Sequence, residues 1–448
     1  MNEKTIRNIG LVSLGCAKNR VDSEVMLGLI RDAGFNIVNE AEDADIIIIN
    51  TCGFIESAQQ ESVETILQQC QYKEIGRCQY VIVTGCLAER YKDELLKEIP
   101  EIDAVVGTSR YPDILQIIED IQKGIKKSYE GGAVLDVEQL PRLITTNPGM
   151  AYLKIAEGCN NHCSYCIIPK LRGKYKSRNL ASLVNEARDL AERGVRELIV
   201  VAQDVTRYGQ DLNDGINLIK LLEELCNIDS LKWIRLLYWY PECVTDELLE
   251  FIARKEKICS YFDIPLQHIH PDIVHKMNRR FAGEQVAELM GKIRSTIPDA
   301  VIRTTFITGF PGEGEEEFNM LKDFIQEHPF NHIGVFPYSR EEGTPAALFD
   351  NQIDEETKLK RKNILMGIQR RISKRFNRQR VGKIYDVLIE GMDSPGVYIG
   401  RSYGEAPEVD GKIFVMSSEK LIPGQFVKVK ITKAYDYDLL GEHYEFSE

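Results

Sequence analysis

The segment GCNNHCSYCIIP, residues 158–169, places three cysteines in a CxxxCxxC spacing directly after the apolar stretch AYLKIA. Cys159, Cys163 and Cys166 can hold three irons of a four-iron four-sulfur cluster, which leaves the fourth iron without a protein ligand. A catalytic metal site needs such an open position, because substrate binds there. The alternatives are a zinc site, for which His162 offers a further ligand, and a disulfide cluster. The rest of the chain favours the iron–sulfur cluster over both.

The composition is typical of a soluble globular protein, with 43% hydrophobic and 28% charged residues, and 448 residues suggest about two to three domains. No apolar run approaches the ~18 residues of a membrane span. The first ten residues, MNEKTIRNIG, lack the apolar core of a signal peptide, so we expect a cytoplasmic location and no membrane partner. Eleven cysteines in such a chain favour metal binding over disulfides. The net charge of −13 argues against bulk nucleic-acid binding and suits a basic protein partner.

Strand-like and helix-like segments alternate over the first 120 residues. The segments with strand character are NIGLVSL (8–14), DADIIIIN (43–50), QYVIVTG (79–85) and IDAVVG (102–107). Helical segments at 21–34, 56–70 and 87–99 lie between them. This alternation predicts a parallel sheet with helices on both faces.

Three cysteines occupy equivalent places in that sheet, because Cys16, Cys52 and Cys86 follow the first, second and third strands and each is next to a glycine. The carboxyl ends of parallel strands share one edge, where open α/β folds bind ligands. A single buried cysteine would be an ordinary small core residue. Three at strand ends predict a second three-cysteine cluster.

Periodicity is lost over residues 123–148, which contain Gly-Gly, prolines and mixed charge and are predicted to be a linker. The linker separates an amino-terminal domain at 1–122 from a central domain at 149–376. Six strand candidates follow it, at 151–157, 196–204, 232–239, 261–267, 300–310 and 332–339. Six strand–helix units predict a partial (β/α)6 barrel. Barrel chemistry lies at the carboxyl ends of the strands, and the CxxxCxxC loop follows the first of them.

Polar residues end the other barrel strands and are predicted to line the same cavity. They are Gln203 and Asp204, Tyr240 and Pro241, Gln267 and His268, and the segment TGFPGEGEEEF (308–318), which includes Gly309. The glycines of that segment let backbone approach a ligand closely. The segment lacks the Lys and Ser/Thr of a phosphate loop. For His268 and His270 a structural role is the favoured interpretation.

The carboxyl-terminal part begins after a basic helical stretch at 355–380, for which a solvated helix is the default interpretation. Short segments with β character follow it and predict a small β-barrel at 377–448. This part contains nine Lys/Arg against twelve Asp/Glu, a net charge of −3. A nucleic-acid module is ordinarily basic, so this one suits a positively charged protein better.

These parts resemble one family along nearly the whole chain. The triplet at 158–169, with the aromatic Tyr165 directly before its last cysteine, resembles the signature of the radical S-adenosylmethionine enzymes. The segments SLGCAKNRVDSE (13–24), NTCGFIESA (50–58) and TGCLAERY (84–91) carry the other cysteines as in the methylthiotransferases, which end in a β-barrel of the TRAM type. The first two segments look most like the branch that modifies the small-subunit ribosomal protein S-twelve. The acidic terminal barrel agrees, because the tRNA-modifying branch uses its barrel on RNA.

The resemblance implies an α/β protein with an amino-terminal parallel sheet domain, a central partial (β/α)6 barrel and a TRAM-like barrel. It implies two 4Fe–4S clusters, on the two cysteine sets at 16, 52, 86 and at 159, 163, 166, of which the second set is catalytic. It also implies S-adenosylmethionine, bound by residues that we expect to include Tyr165, Gln203 and Gly309. The implied partners are a basic ribosomal protein as substrate and an electron donor, without a direct tRNA substrate.

In the implied reaction, S-adenosylmethionine binds the open iron and one electron cleaves it to a 5′-deoxyadenosyl radical. The radical abstracts hydrogen from the β-carbon of an aspartate, and the amino-terminal cluster supplies methylated sulfur. One alternative is a tRNA adenosine methylthiotransferase, which shares every cluster ligand and is supported by the basic helix at 355–380. Another is a zinc-stabilised RNA-binding adaptor without catalysis.

Overall fold

The computed structural model describes residues 6–131, 140–212 and 215–445, which form a sheet domain, a partial barrel and a small closed barrel in chain order. The predicted α/β fold class is confirmed. Within the described part of the chain, no helix is both long and apolar enough to cross a membrane.

The amino-terminal domain is a parallel sheet of the order β2-β1-β3-β4-β5-β6. Its strands are β1 (Asn8–Ser13), β2 (Asn36–Val38), β3 (Ile46–Thr51), β4 (Tyr80–Gly85), β5 (Ala104–Val106) and β6 (Lys127–Tyr129). Its helices are α1 (Ala17–Asp32), α2 (Glu56–Cys70), α3 (Tyr72–Ile75), α4 (Cys86–Tyr91), α5 (Asp93–Glu98) and α6 (Ile114–Gln122). Apolar residues of both sheet faces are covered by helices, so β3 is buried along its whole length.

Three details of this domain differ from the sequence prediction. The short edge strands β2 and β6 have three residues each, too few to show a periodicity, and β6 lies in the segment predicted as a linker. The later part of that segment packs on α1, where the Leu143 N–H donates to the Glu24 carbonyl at 2.9 Å. Its residues 132–139 lie outside the described part. The helix predicted over 87–99 is broken at Lys92, whose φ of +45° interrupts the helical backbone between α4 and α5.

The central domain has the six predicted barrel strands. In chain order its strands are β7 (Met150–Lys154), β8 (Ala156–Glu157), β9 (Lys176–Ser177), β10 (Glu197–Val201), β11 (Trp233–Leu236), β12 (Tyr261–Asp263), β13 (Val301–Thr308) and β14 (His332–Pro337). The parallel triples β11-β10-β7 and β12-β13-β14 meet where the Cys259 N–H donates to the Ile234 carbonyl at 2.9 Å. The barrel is therefore continuous across six strands and open beyond β7 and β14.

Helices alternate with the strands of this barrel. They are α7 (Ile168–Arg172), α8 (Leu180–Glu192), α9 (Leu218–Cys226), α10 (Asp246–Ala253), α11 (Pro271–Lys276), α12 (Gly283–Thr296), α13 (Glu315–Glu327) and α14 (Glu355–Arg378). The sequence predicted α14 as a solvated basic helix, but Leu365, Ile368 and Ile372 on one face are buried in the barrel core. Only the opposite face of α14 meets solvent.

The carboxyl-terminal domain is the predicted small barrel, closed in the order β15-β16-β17-β19-β18. Its strands are β15 (Ile384–Ser394), β16 (Val397–Arg401), β17 (Ile413–Met416), β18 (Phe426–Ala434) and β19 (Leu439–His443). It docks at the amino ends of the central strands, where Glu197 of β10 pairs with Arg235 at 2.7 Å and with Arg401 at 2.6 Å. Burial would raise the pKa of Glu197, but the two guanidinium groups outweigh it and hold that pKa below its ordinary value. The cysteine loops lie at the other end of the strands.

Candidate active site

The structure brings Cys16, Cys52 and Cys86 together at the carboxyl edge of the first sheet. They follow β1, β3 and β4, which are neighbours in the sheet. The loops approach so closely that a Cβ atom built on Gly15 would lie 3.4 Å from the Cys52 Sγ, and one on Gly53 would lie 2.8 Å from the Cys86 carbonyl. Three free thiols in a cradle that excludes larger side chains fit the ligand set of a cluster.

Asn19, which sequence reasoning missed, ties these loops to one another. Its Nδ2 donates to the carbonyls of Leu14 at 3.2 Å and Thr51 at 2.9 Å, and its Oδ1 lies 3.9 Å from the Cys86 Sγ. One side chain therefore contacts the loops of all three cysteines. Its place three residues after Cys16 is the only signal that the sequence offered.

Cations from both domains lie beside this set. Burial raises the pKa of the Cys16 thiol, but Lys18 and Arg172 outweigh it and hold that pKa below its ordinary value. Burial raises the pKa of Cys52 to about 11 and also raises that of Cys86. Arg172 ends α7 of the central barrel, so a cation of the second domain stabilises a thiolate of the first.

The second set, Cys159, Cys163 and Cys166, lies in the loop between β8 and α7. The Asn161 N–H donates to the Cys159 Sγ at 3.4 Å, and Arg279 Nη1 lies 3.8 Å from the Cys163 Sγ. Burial raises the pKa of Cys166 to about 12. A buried guanidinium and a backbone donor suit thiolates, so the donor set fits a cluster here as well.

The loop is held rigidly from the opposite side of the barrel. The Ser164 N–H donates to the Met277 carbonyl at 3.0 Å, and its hydroxyl donates to the Lys276 carbonyl at 2.7 Å. The Asp204 carboxylate accepts from the Asn161 side chain at 2.9 Å. His162, the ligand of the zinc alternative, is exposed and contributes its carbonyl to Asn278.

Two of the three predicted cofactor residues lie near this loop. Tyr165 is half-buried beside Cys163, and burial together with that thiol raises its pKa well above the ordinary value. Gln203 donates to Glu157 Oε1 at 3.2 Å, and its own Oε1 is buried without a hydrogen-bond partner among the described residues. A buried acceptor of this kind fits an amino or hydroxyl group of S-adenosylmethionine.

The structure gives Gly309 a packing reason for its lack of a side chain. Its φ is +70°, and a Cβ atom there would lie 2.2 Å from Lys358 Cγ of α14. His268 has the structural surroundings that its sequence position suggested, because its Nδ1 accepts from the His270 N–H at 3.1 Å. Its Nε2 lies 3.3 Å from a carboxylate oxygen of the fully buried Glu313.

A buried charge network lies between the two cysteine sets. Arg172 pairs with Glu157 at 2.9 Å and with Asp22 at 3.4 Å, and Lys154 pairs with Glu157 at 2.8 Å and also contacts Asp22. Burial would raise the pKa of Glu157, but Arg172 and Lys154 hold it far below its ordinary value. The network joins α1 of the first domain to the loop of the second.

Apolar side chains also pack at this contact between the two domains. Ile167, which directly follows Cys166, and Leu171 form a buried cluster with Cys86, and Phe54 packs against it. The five residues of α7 span about 7 Å. Both cysteine sets therefore adjoin this one short helix, which no property of either segment alone predicted.

The sequence analysis missed three charged residues of the site, Glu157, Arg172 and Arg279. They differ in how far their positions in the sequence could have indicated a role. Glu157 and Arg172 flank the cysteine loop in sequence, so their positions could have been singled out. Arg279 lies 116 positions from Cys163 in the sequence. Only the curvature of the partial barrel brings the two side chains together.

Three family models match successive parts of the chain. The family described as Uncharacterized protein family UPF0004 covers residues 8–107, the radical SAM superfamily covers residues 153–325 and the TRAM domain covers residues 381–443. Among solved structures, the radical S-adenosylmethionine methyltransferase TsrM from Kitasatospora setae, with cobalamin and a 4Fe-4S cluster bound, superposes with a TM-score of 0.57. It is 14% identical, over 88% of this chain and 77% of that chain. This likeness concerns the fold alone.

Full-length relatives narrow the family further. The ribosomal protein uS12 methylthiotransferase RimO of Caldanaerobacter subterraneus subsp. tengcongensis is 53% identical over 439 residues, which are 98% of this chain and 100% of that protein. The protein of the same name from Clostridioides difficile is 50% identical over 97% of this chain and 98% of its own. The chain therefore belongs to the ribosomal protein uS12 methylthiotransferase family of radical S-adenosylmethionine enzymes.

Proposed function

We propose that this enzyme adds a methylthio group to the β-carbon of an aspartate in the small-subunit ribosomal protein uS12. The observation that carries the proposal is that both cysteine sets adjoin α7, within one interface between the first two domains. Sulfur transfer to a carbon radical needs the sulfur source and the radical source close to one target atom. The names of relatives at about half identity over the whole chain supply the substrate.

We assign one 4Fe–4S cluster to each cysteine set. Cys159, Cys163 and Cys166 would hold the cluster that works with S-adenosylmethionine, and the set that includes Cys16 would hold the second. When bound, the first cluster and S-adenosylmethionine would supply a one-electron cleavage that yields a radical able to abstract hydrogen from an unactivated carbon. The second cluster would supply the sulfur for that carbon. An external electron donor is required.

The chain's own residues hold the charges and exclude water. Arg279 beside Cys163 and Arg172 beside Cys16 and Cys86 offset the negative charge of sulfur ligands. Gln203 offers its free oxygen to the cofactor. The buried apolar cluster formed by Ile167, Leu171 and Cys86 excludes water from the contact between the first two domains.

The substrate is tested by offering two targets to the same anaerobically reconstituted enzyme. A uS12 peptide that contains the target aspartate is expected to gain the mass of a methylthio group less that of the hydrogen atom it replaces, and a tRNA anticodon stem-loop is expected to stay unchanged. The acidic terminal barrel supports this preference for a basic protein. Modification of the tRNA instead would establish the tRNA adenosine methylthiotransferase, and a colourless zinc protein that modifies neither would establish the adaptor.

Gly15→Val is expected to lose about half of the iron, from about eight to about four atoms per chain, because two clusters hold four each. The new side chain would enter the space of Cys52, whose Cβ lies 3.0 Å from the Cβ position of Gly15. Cleavage of S-adenosylmethionine is expected to persist, since the second cysteine set is untouched. Iron analysis and a cleavage assay measure both effects.

Gly34→Val is the matched control. Gly34 has a φ of +88°, close to the +87° of Gly15, but a Cβ atom there meets nothing within 4 Å. Both variants carry the same backbone strain of about 1–2 kcal/mol, and only Gly15→Val crowds a cysteine. Equal iron in the two variants would contradict a cluster at the amino-terminal set.

A further inference from the structure

A basic groove lies near the carboxyl end of α14, far from the cysteine sets. It encloses about 450 Å³ and is lined by Arg371, Lys374, Arg375, Arg378 and Gln379. Positions three and four apart share one helix face, so the cations form a continuous stripe. Lys374 pairs with Asp436 at 2.8 Å. Across the described residues, the guanidinium groups of the three arginines have no ion pair within 4 Å and no hydrogen bond, and all three are exposed.

Two exposed tyrosines lie on the turn between β18 and β19, which contacts α14 near this groove. Tyr435 is 41% exposed and Tyr437 is 42% exposed. The turn is fixed to α14 by the ion pair of Asp436 and by Asn377, whose side chain donates to the Tyr435 carbonyl at 3.5 Å. The backbone of the turn is therefore held beside α14, and Lys433 Nζ lies 4.9 Å from the centroid of the Tyr435 ring.

This combination identifies the chemistry of the partner. Arginine forks match phosphate oxygens, and exposed aromatic rings stack on unpaired bases. An acidic protein would use the cations but not the rings. The groove differs from the interfaces within this chain of net charge −13, where buried cations such as Arg142 and Arg235 have carboxylate partners. The charge and the rings together match a single RNA strand.

The position of the groove indicates a partner larger than a peptide. Lys358 of α14 packs on Gly309 at the cysteine end of the barrel. Twenty residues later Arg378 lies in the groove, which is about 30 Å along the helix. A partner that reaches both places at once has the dimensions of a ribonucleoprotein.

We propose that this groove binds an unpaired strand of ribosomal RNA, so that the enzyme engages uS12 within the small ribosomal subunit; the identity of the particle rests on the proposed function. The RNA contact itself rests on the arginines and tyrosines.

The contact is tested on the full-length protein by fluorescence anisotropy with a labelled oligouridylate of about twelve nucleotides. The triple variant Arg371→Ala/Arg375→Ala/Arg378→Ala is expected to reduce the slope of the logarithm of the association constant against the logarithm of salt concentration by about 2. Each phosphate contact with a single strand contributes about 0.7 to that slope. Tyr435→Ala/Tyr437→Ala is expected to weaken binding at least about tenfold with an unchanged slope, since stacking releases no counterions.

The matched control replaces three exposed lysines elsewhere, in Lys97→Ala/Lys123→Ala/Lys360→Ala, and is expected to bind like the unmodified enzyme. Unchanged binding in the arginine variant would overturn the proposal. The proposal would also be overturned if the tyrosine variant bound the oligouridylate fully and poly-glutamate competed as well as unlabelled oligouridylate. That result would describe a site for any polyanion. Thermal unfolding confirms that each variant is folded.

Activity separates this proposal from the proposed function. The arginine variant is expected to modify intact small subunits about tenfold more slowly and to modify the uS12 peptide at the ordinary rate. Equal loss on both substrates would contradict a role in RNA contact. If the unmodified enzyme modified neither substrate, the proposed function would fail while the RNA titration still decided the groove.

Discussion

Replacing Cys159, Cys163 and Cys166 together by alanine is expected to abolish cleavage of S-adenosylmethionine and to lower the iron content from about eight to about four atoms per chain. The three thiols are the sulfur ligands that the CxxxCxxC loop offers at the carboxyl end of the barrel. Without these thiols a cluster at this loop would have no cysteine ligands, while the ligands of the amino-terminal cluster would be unchanged. Iron analysis after anaerobic reconstitution and detection of 5′-deoxyadenosine by chromatography measure the two effects.

The control for this variant removes three cysteines outside both sets, in Cys70→Ala/Cys78→Ala/Cys226→Ala. Cys70 and Cys226 end helices and Cys78 precedes β4, so none lies at the carboxyl end of a strand, and iron content and cleavage are expected to stay at the ordinary level. Cleavage that survived in the first variant would refute the assignment of the radical chemistry to this loop. Iron lost equally from both variants would indicate general damage to the fold.

Glu197→Ala is expected to destabilise the docking of the terminal barrel by about 3–5 kcal/mol, the usual cost of leaving buried charges uncompensated. Glu197, Arg235 and Arg401 are all at most 1% exposed, and one carboxylate serves both guanidinium groups. Its removal leaves the buried Arg235 without a carboxylate partner and leaves Arg401 with Glu390 alone. Trp233 stacks edge-to-face on Phe426 at 4.6 Å across the same interface, so its fluorescence during urea unfolding reports the loss.

Two further variants sharpen this test. Glu390→Ala is expected to cost only about 1 kcal/mol, because Arg401 loses its contact with Glu390 at 2.7 Å but keeps Glu197. Combining Glu197→Ala with Arg235→Met and Arg401→Met is expected to restore much of the stability, since the buried charges are then gone. A Glu197→Ala variant as stable as the Glu390→Ala variant would show that the network does not hold the barrel in place.

The site could be predicted in part, because some of its geometry is local. The CxxxCxxC ligands lie within eight residues of one another, so a single loop suffices to gather them. The amino-terminal cysteines are far apart in sequence, but each follows a buried parallel strand. Since such strands end at one sheet edge, the alternation of strands and helices was enough to place Cys16, Cys52 and Cys86 together.

The parts that could not be predicted depend on contacts between distant segments. Hydrophobic periodicity reports which face of an element is buried, but it carries no information about which charged residue will meet another across an interface. Arg279 reaches Cys163 from the far side of the barrel, and Arg172 pairs with Asp22 from another domain. For the same reason α14 looked solvated, although apolar residues among its many cations bury one face.

The sequence by itself determined the three domains' fold class, the two cysteine sets and the family, because strand alternation and ligand spacing are properties of short segments. Only the tertiary structure decided that both sets adjoin one helix, that Glu197 joins two barrels and that three arginines of a basic groove have no carboxylate partner among the described residues. Those features depend on the burial and pairing of charges brought together from distant parts of the chain. Such pairing is decided when the domains pack, not when their strands and helices form.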